Sequence, residues 1–312
     1  MDDMNKQSRV LITGGQGMLG RALNSKLSDI GIINVNSPSR AEMDCLDPQS
    51  VNNFFYSARP THVFHLASLV YGIKGNLDNQ NKSLHENTLI SMNVLNACMK
   101  YNVSKVFYAG TVASYGFPYA SLPLKECDFW SGPPHDGEYG YGWAKRMGLI
   151  QLEILKKNHG IKYTYGLLTN LYGPHDKFNS ENGHVIPSLI SKAIATEQNG
   201  GVFEVWGKPN VTRDFMYSKD AASAIILSMT KTNGLINISS GLETPMSSLV
   251  SAITQSLDNN PTVKWRDDRP IGIERRYSDN SKLNEIGFHQ QYSLEDGIKE
   301  TIKWYKENLI NN

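Results

Sequence analysis

Apolar residues along the first half of the chain fall into two alternating textures. Short, nearly continuous β-branched runs, bounded by glycine or polar turns, read as strands buried on both faces. Longer stretches with apolar residues every three or four positions read as helices packed on those strands. RVLITGG (9–15) predicts a strand running into a glycine turn, followed by a helix from near Gly17 to before Gly31. IINVNS (32–37), THVFHLAS (61–68), KVFYAGT (105–111) and KYTYGLL (162–168) predict further strands. Between them lie helical patterns at 48–57, opening on Pro48, at 83–101 and at 141–158. This alternation predicts an α/β fold, a Rossmann-type doubly wound parallel sheet.

The second half is less regular. Residues 173–212 hold five glycines and one helical segment at 186–198, and they interrupt the alternation. A helix at 218–230 and the strand LINISS (235–240) resume it, and Leu294, Ile298, Ile302 and Tyr305 form a helical stripe near the end. The expected division is a dinucleotide-binding domain of residues 1–172 and 213–242, with a smaller C-terminal substrate-binding lobe of residues 173–212 and 243–312. Helix 83–101 is apolar nearly all round, with Leu84, Leu89, Ile90, Met92, Val94, Leu95, Ala97, Cys98 and Met99. Such a helix is covered on more than one side, either by its own sheet alone or also by a second subunit. The expectation is a homodimer through 83–101 and 141–158.

A chain of 312 residues is long enough for a substantial core, and its net charge of +1 gives no broad attraction for nucleic acid or anionic membrane. No apolar run is long enough to span a bilayer. The polar start MDDMNKQS leads straight into the first strand and does not resemble a signal peptide. Cys45, Cys98 and Cys127 are odd in number and widely spaced, which points to reduced thiols rather than a disulfide framework or a metal site. These features together predict a cytoplasmic location and no metal.

The first turn carries candidate chemistry. In TGGQGMLG (13–20), Gly14, Gly17 and Gly20 lie between a strand and a helix. Glycine there lets the backbone approach a pyrophosphate, whose charge the helix N-terminus favours. After the second strand comes SPSRAEMD, with Ser39 and Arg40 where an NAD binder places an acid for the ribose. A guanidinium pairs with a 2′-phosphate, whereas a carboxylate repels it, so NADP(H) is expected. The competing possibility is that Arg40 is only solvated and Glu42 or Asp44 holds the ribose.

Thr111 ends the fourth strand, and Tyr141 and Lys145 stand four apart on one helix. A free tyrosine titrates near about 10, so a role at neutral pH calls for roughly 3 pH units of acidification. One ammonium at about 4–6 Å supplies about 1–3 of them. Lys145 is therefore expected to lower the Tyr141 pKa and to hold the nicotinamide ribose, while Thr111 offers its hydroxyl to the reacting oxygen.

The glycine turn, the strand-terminal threonine and the Tyr-x-x-x-Lys pair together resemble the extended short-chain dehydrogenase/reductase family. Within it, GGQGMLGRAL (14–23), HLASLVYGIKGN (65–76), TNLYGPHDKFNSENGHVIPSLI (169–190) and VWGKPNVTRDFMY (205–217) are similar to GDP-L-fucose synthases. The resemblance covers nearly the whole chain. It implies hydride transfer between NADP(H) and a nucleotide-linked keto sugar, expected to be GDP-linked, as in the making of activated sugars for surface polysaccharide. It further implies a cofactor site of Gly14, Gly17, Met18, Leu19, Gly20, Ser39, Arg40, Asp44, Leu66, Ala67, Ser68, Tyr141, Lys145, Leu168, Asn170, Leu171 and His184. The substrate would be held by Ser114, Asn170, Lys177, Val185, Trp206, Arg213 and Arg276, with Arg213 on the diphosphate. Thr111, Tyr141 and Lys145 would be catalytic, and His184 matches an acid used in epimerisation.

The chain departs from that pattern at AGTVASYG (109–116). Fucose synthases resemble GSSCIYP there, with a cysteine base two residues before the tyrosine, and this chain has Ala113. Sugar-nucleotide dehydratases place an Asp-Glu pair where Val112 and Ala113 stand. The expectation is thus a C4-ketoreductase with little or no epimerase activity. Three alternatives are a bifunctional 3,5-epimerase/4-reductase, a redox-neutral 4-epimerase with tightly held cofactor, and a non-catalytic NADPH sensor.

Overall fold

The computed structural model describes residues 4–178, 184–267 and 272–310. In chain order its first elements are β1 (Val10–Thr13), α1 (Met18–Asp29), β2 (Val35–Asn36), α2 (Pro48–Ala58), β3 (His62–His65), α3 (Ile73–Asp78), α4 (Gln80–Lys100) and β4 (Lys105–Thr111). Next come α5 (Tyr139–His159), β5 (Lys162–Leu168), β6 (Asn170–Tyr172), α6 (Val185–Asn199), β7 (Val202–Trp206), β8 (Thr212–Arg213), β9 (Phe215–Tyr217), α7 (Ser218–Lys231) and β10 (Gly234–Ile238). The chain continues through β11 (Thr244–Pro245), α8 (Met246–Gln255), β12 (Thr262–Arg266), β13 (Arg275–Arg276), α9 (Ser281–Glu285) and α10 (Leu294–Tyr305).

Six strands form one parallel sheet in the order β10-β5-β4-β3-β1-β2. Because side chains alternate along a strand, each strand feeds two cores. Leu11, Val63 and Val106 pack with Val51 and Phe55 of α2, Val94 and Leu95 of α4 and Leu149 and Leu152 of α5. Val10, Ile12, Phe64 and Phe107 point the other way, against Leu23 and Leu27 of α1 and Ile225 and Met229 of α7. A strand with both faces buried has no polar face, which is why these strands read as unbroken apolar runs. The order reverses between β1 and β3, and ligands bind at such a switch point, beyond the carboxyl ends of the strands.

Near that carboxyl edge one register line carries polar or aromatic groups on four neighbouring strands. Thr13 pairs with His65, His65 with Tyr108, and Tyr108 with Tyr165. The row faces α4 and α5. Those helices lie side by side, joined by a hydrogen bond from Gln151 to Asn96 at 3.0 Å. Leu84 and Met92 of α4 and Met147, Ile150 and Ile154 of α5 remain exposed.

A third core brings together α6, α8, α10, β7 and β9, including Ile190, Phe203, Phe215, Leu249, Ile253 and Ile298. The expected helices at 186–198, 218–230 and 294–305 are all present, within a residue or two at each end. The second expected strand shrinks from six residues to two, Val35 and Asn36. Ile33 is exposed, and β2 is an edge strand with one neighbour to hold it. α3, α8 and the small sheets β6-β9, β7-β12 and β11-β8-β13 were not anticipated. Strands of two or three residues are too short to display a period. Residues 179–183 of the loop-rich stretch lie outside the described residues. Among the described residues no helix is long and apolar enough to cross a membrane, and no His/Cys/Asp/Glu cluster could hold a metal ion. The three cysteines are free.

Candidate active site

The glycine turn joins β1 to α1 at the switch point. Gly14 has φ +72, a conformation natural only to glycine, and a Cβ there would lie 2.9 Å from the Ala67 amide nitrogen. Leu66 and Ala67 thus approach the turn from the end of β3, with the Ala67 amide donating to Thr13 Oγ1 at 3.2 Å. A Cβ on Gly20 would lie 2.5 Å from Gly15 Cα, so the turn folds tightly onto the start of α1. A Cβ on Gly17 would meet only the Gly14 carbonyl oxygen, at 3.5 Å. Gly14 and Gly17 are exposed. The result is a bare backbone surface at a helix N-terminus, a shape and polarity that fit a pyrophosphate. Met18 opens α1 and Leu19 packs into the core behind it. Leu168 and Leu171 are half-buried against the same core.

Beyond β2, Glu42 is occupied as a local cap, its carboxylate accepting from the Ser39 amide at 2.7 Å. Bonds from Ser39 hold its carboxyl below the usual range. Arg40 lies in solvent, its side chain 76% exposed, and among the described residues it has one loose pairing, to Asp44 at 3.4 Å. That leaves the guanidinium available to an anion at this corner.

Thr111 ends β4, and Tyr141 lies in the first turn of α5, the helix packed on the turn that follows β4. The Thr111 hydroxyl accepts from the Ala113 amide at 3.1 Å, which fixes the oxygen and leaves its proton to donate elsewhere. α5 presses onto the same turn: a Cβ on Gly142 would lie 2.9 Å from the Ala113 carbonyl oxygen. The Lys145 Nζ lies 5.6 Å from the Tyr141 ring centroid. The expected acidification of the phenol is not present here. Burial pushes Tyr141 up to about 12, with a hydrogen bond to Ser68 pulling the other way. Burial also pushes Lys145 down to about 7. Desolvation disfavours the charged form of each.

The remaining candidates scatter. Ser114 is fully buried; its carbonyl accepts from Arg146 Nε at 2.8 Å, while its hydroxyl has no hydrogen-bond partner among the described residues. Arg146 also donates to the Phe129 carbonyl at 2.9 Å and is caged by the rings of Phe129, Trp130 and Trp143. His184 sits at the N-cap of α6, 47% exposed, 3.7 Å from Asp176 Oδ1. Lys177, Val185 and Trp206 are exposed, and Lys192 Nζ lies 4.4 Å from the Trp206 ring centroid. The Asn170 amide donates to the Asp214 carbonyl at 2.9 Å.

Arg213 and Arg276 come together from adjacent strands β8 and β13. Burial, then the neighbouring Arg276, lowers Arg213 to about 10. Among the described residues its guanidinium donates only to the Thr212 carbonyl, at 2.7 Å. Arg276 is paired with Glu138 at 2.6 Å. Burial works against the Arg276 charge, but Glu138 and Tyr119 outweigh it and hold its pKa above the usual arginine value. Two guanidinium groups against one carboxylate leave a positive site, three residues from Tyr141 along the helix. Glu138, Tyr119 and Arg146 were not anticipated. Their signal is purely spatial, since 138 residues separate Glu138 from Arg276.

Comparison with known proteins gives the family. The model of the NAD dependent epimerase/dehydratase family matches residues 10–239. A probable GDP-L-fucose synthase 1 of Oryza sativa is 32% identical, over 98% of this chain and 94% of that protein. A GDP-6-OMe-4-keto-L-xylo-heptose reductase of C. jejuni superposes with a TM-score of 0.91 at 26% identity, over 98% of this chain and 99% of that one. A GDP-L-fucose synthetase of Naegleria fowleri bound to NADP superposes at 0.89 with 28% identity, over 98% and 95%. The chain belongs to the NAD dependent epimerase/dehydratase family and, within it, to the GDP-L-fucose synthase-like extended short-chain dehydrogenase/reductases.

Proposed function

We propose that this protein is an NADPH-dependent C4-ketoreductase of a GDP-linked 4-keto-6-deoxy sugar that performs little or no epimerisation. The observation that carries this reading is the 111–115 turn. It keeps a hydroxyl at Thr111, on the turn against which the helix of Tyr141 packs, and buries a methyl at Ala113 where the fucose synthases have a base. An acid-base role needs a titratable group within reach, and a methyl is none. NADP on a related fold and the exposed Arg40 support the cofactor assignment. A reductase of a GDP-linked 4-keto heptose among the structural relatives supports reduction of a GDP-linked keto sugar.

When bound, the dinucleotide supplies a hydride to C4. The chain's own residues do the rest. The Thr111 hydroxyl orients the keto oxygen. Tyr141 donates its phenol proton to that oxygen as it gains negative charge. A phenol pushed up to about 12 still suffices, because an alkoxide is far more basic than a phenolate. Lys145, held beside the ring, steadies the phenolate left behind. Arg213 and Arg276 pair with the diphosphate, and Gly14, Gly17 and the α1 N-terminus carry the cofactor's pyrophosphate. His184 serves in binding alone. The division into a dinucleotide-binding part (1–172, 213–242) and a substrate lobe (173–212, 243–312) belongs to the same proposal, as does a homodimer that covers Met147, Ile150 and Ile154.

Mixing the enzyme with NADPH and GDP-4-keto-6-deoxymannose is expected to consume one NADPH per sugar, read at the nicotinamide absorbance. Product formed without NADPH loss would instead indicate a redox-neutral epimerase, and NADPH binding with no turnover of any keto-sugar nucleotide a sensor. Arg40→Ala is expected to weaken NADPH by about 10-fold or more while leaving NADH nearly unchanged, measured by fluorescence titration. Equal losses for both would reject the 2′-phosphate assignment.

A further inference from the structure

We propose that Tyr108 is a positioning residue, its ring seating the Lys145 ammonium against Tyr141. This role rests on the reading above, in which Tyr141 and Lys145 form the working pair.

Lys145 is 2% exposed, yet among the described residues its Nζ makes no hydrogen bond or ion pair. It lies instead over two rings, 5.2 Å from the Tyr108 centroid and 5.6 Å from the Tyr141 centroid. A buried cation without a carboxylate is costly, and among the described residues these two ring faces supply attraction to it. The groups facing it are Tyr141 from its own helix, Tyr108 from β4 and His65 from β3, with Tyr165 of β5 on its main chain. His65 brings no charge, because burial and the nearby Lys145 push it down to about 3.

Tyr108 is built to stay where it is. It is fully buried, and its hydroxyl shares a hydrogen bond with Ser91 of α4 at 2.7 Å. Its ring stacks on Tyr165 at 5.2 Å and 9°, and His65 meets it edge-on at 5.2 Å and 61°. α5 bears directly on it, since a Cβ on Gly148 would fall 2.3 Å from the Tyr108 hydroxyl oxygen. The Tyr165 hydroxyl donates to the Lys145 carbonyl at 3.1 Å, so the same aromatic row holds that residue's main chain. The ring, not the hydroxyl, faces the cation.

The separation of ring from hydroxyl makes the test. The Lys145 side chain is titrated directly by ¹³Cε NMR in the full chain, its signal assigned by loss in Lys145→Gln. Tyr108→Phe is expected to titrate as wild type. Tyr108→Leu is expected to titrate about one pH unit lower, because the charged form loses its π partner. The alkaline fall in kcat should move with it. Pentafluorophenylalanine at 108 keeps the shape of phenylalanine and removes the negative ring face, and it should reproduce the leucine shift even if Tyr108→Leu folds poorly. Equal shifts in Phe and Leu, or a pentafluoro variant matching Phe, would overturn the role. A wild-type protein inactive on every keto-sugar nucleotide would sink the proposed function, while the NMR titration would still stand.

Discussion

Replacing Tyr141 with phenylalanine is expected to cut NADPH-dependent ketone reduction by roughly 10²–10⁴-fold, the range for loss of a positioned general acid. The ring stays, so Lys145 keeps both ring faces near its ammonium. The lost hydrogen bond with Ser68 costs about 1 kcal/mol of stability at most. The glycine turn and Arg40 are untouched, so NADPH affinity should hold in a fluorescence titration. A variant that still reduces at near wild-type rate would remove Tyr141 as the proton donor. Thr111→Val should lower kcat less, since it removes an orienting hydroxyl while leaving the acid in place.

In deuterated water, reduction of GDP-4-keto-6-deoxymannose is expected to leave C3 and C5 of the product unlabelled. Hydrogens next to a ketone exchange only when a base removes one of them. The hydride comes from protiated NADPH, and deuterium on hydroxyl groups washes out on work-up. Any carbon-bound deuterium, read by mass and by proton NMR, therefore reports a base at work. Its appearance at C3 or C5 would defeat the reductase-only reading and favour the bifunctional one. The complementary variant, Ala113→Cys, places a thiol where the fucose synthases have theirs and should introduce exchange. That experiment separates a missing base from a sugar that is simply held in the wrong place.

Legibility followed strand length and sequence separation. Lys105–Thr111 and Lys162–Leu168 were read to the residue, because a seven-residue stretch rich in apolar and aromatic side chains, buried on both faces, stands out from its polar flanks. The glycine turn was legible because its context, strand before and helix after, is local. The Tyr141–Lys145 pair was legible as spacing, but its electrostatics were not. Spacing shows an ammonium near a phenol and says nothing of how much water both have lost. Burial decided the direction of both shifts. Glu138 beside Arg276, and the Ser114 carbonyl held by Arg146, depend on contacts between distant segments and have no local signature.

The grip of Arg146 has a consequence for how such proteins diverge. Its bonds go to the main-chain oxygens of Ser114 and Phe129, and Thr111 likewise takes the main-chain amide of residue 113. The path of the turn is therefore held by groups that every amino acid possesses. Small side chains at 112 and 113 can be exchanged without redrawing it, so one inherited frame can pass from one reaction to another through two codons.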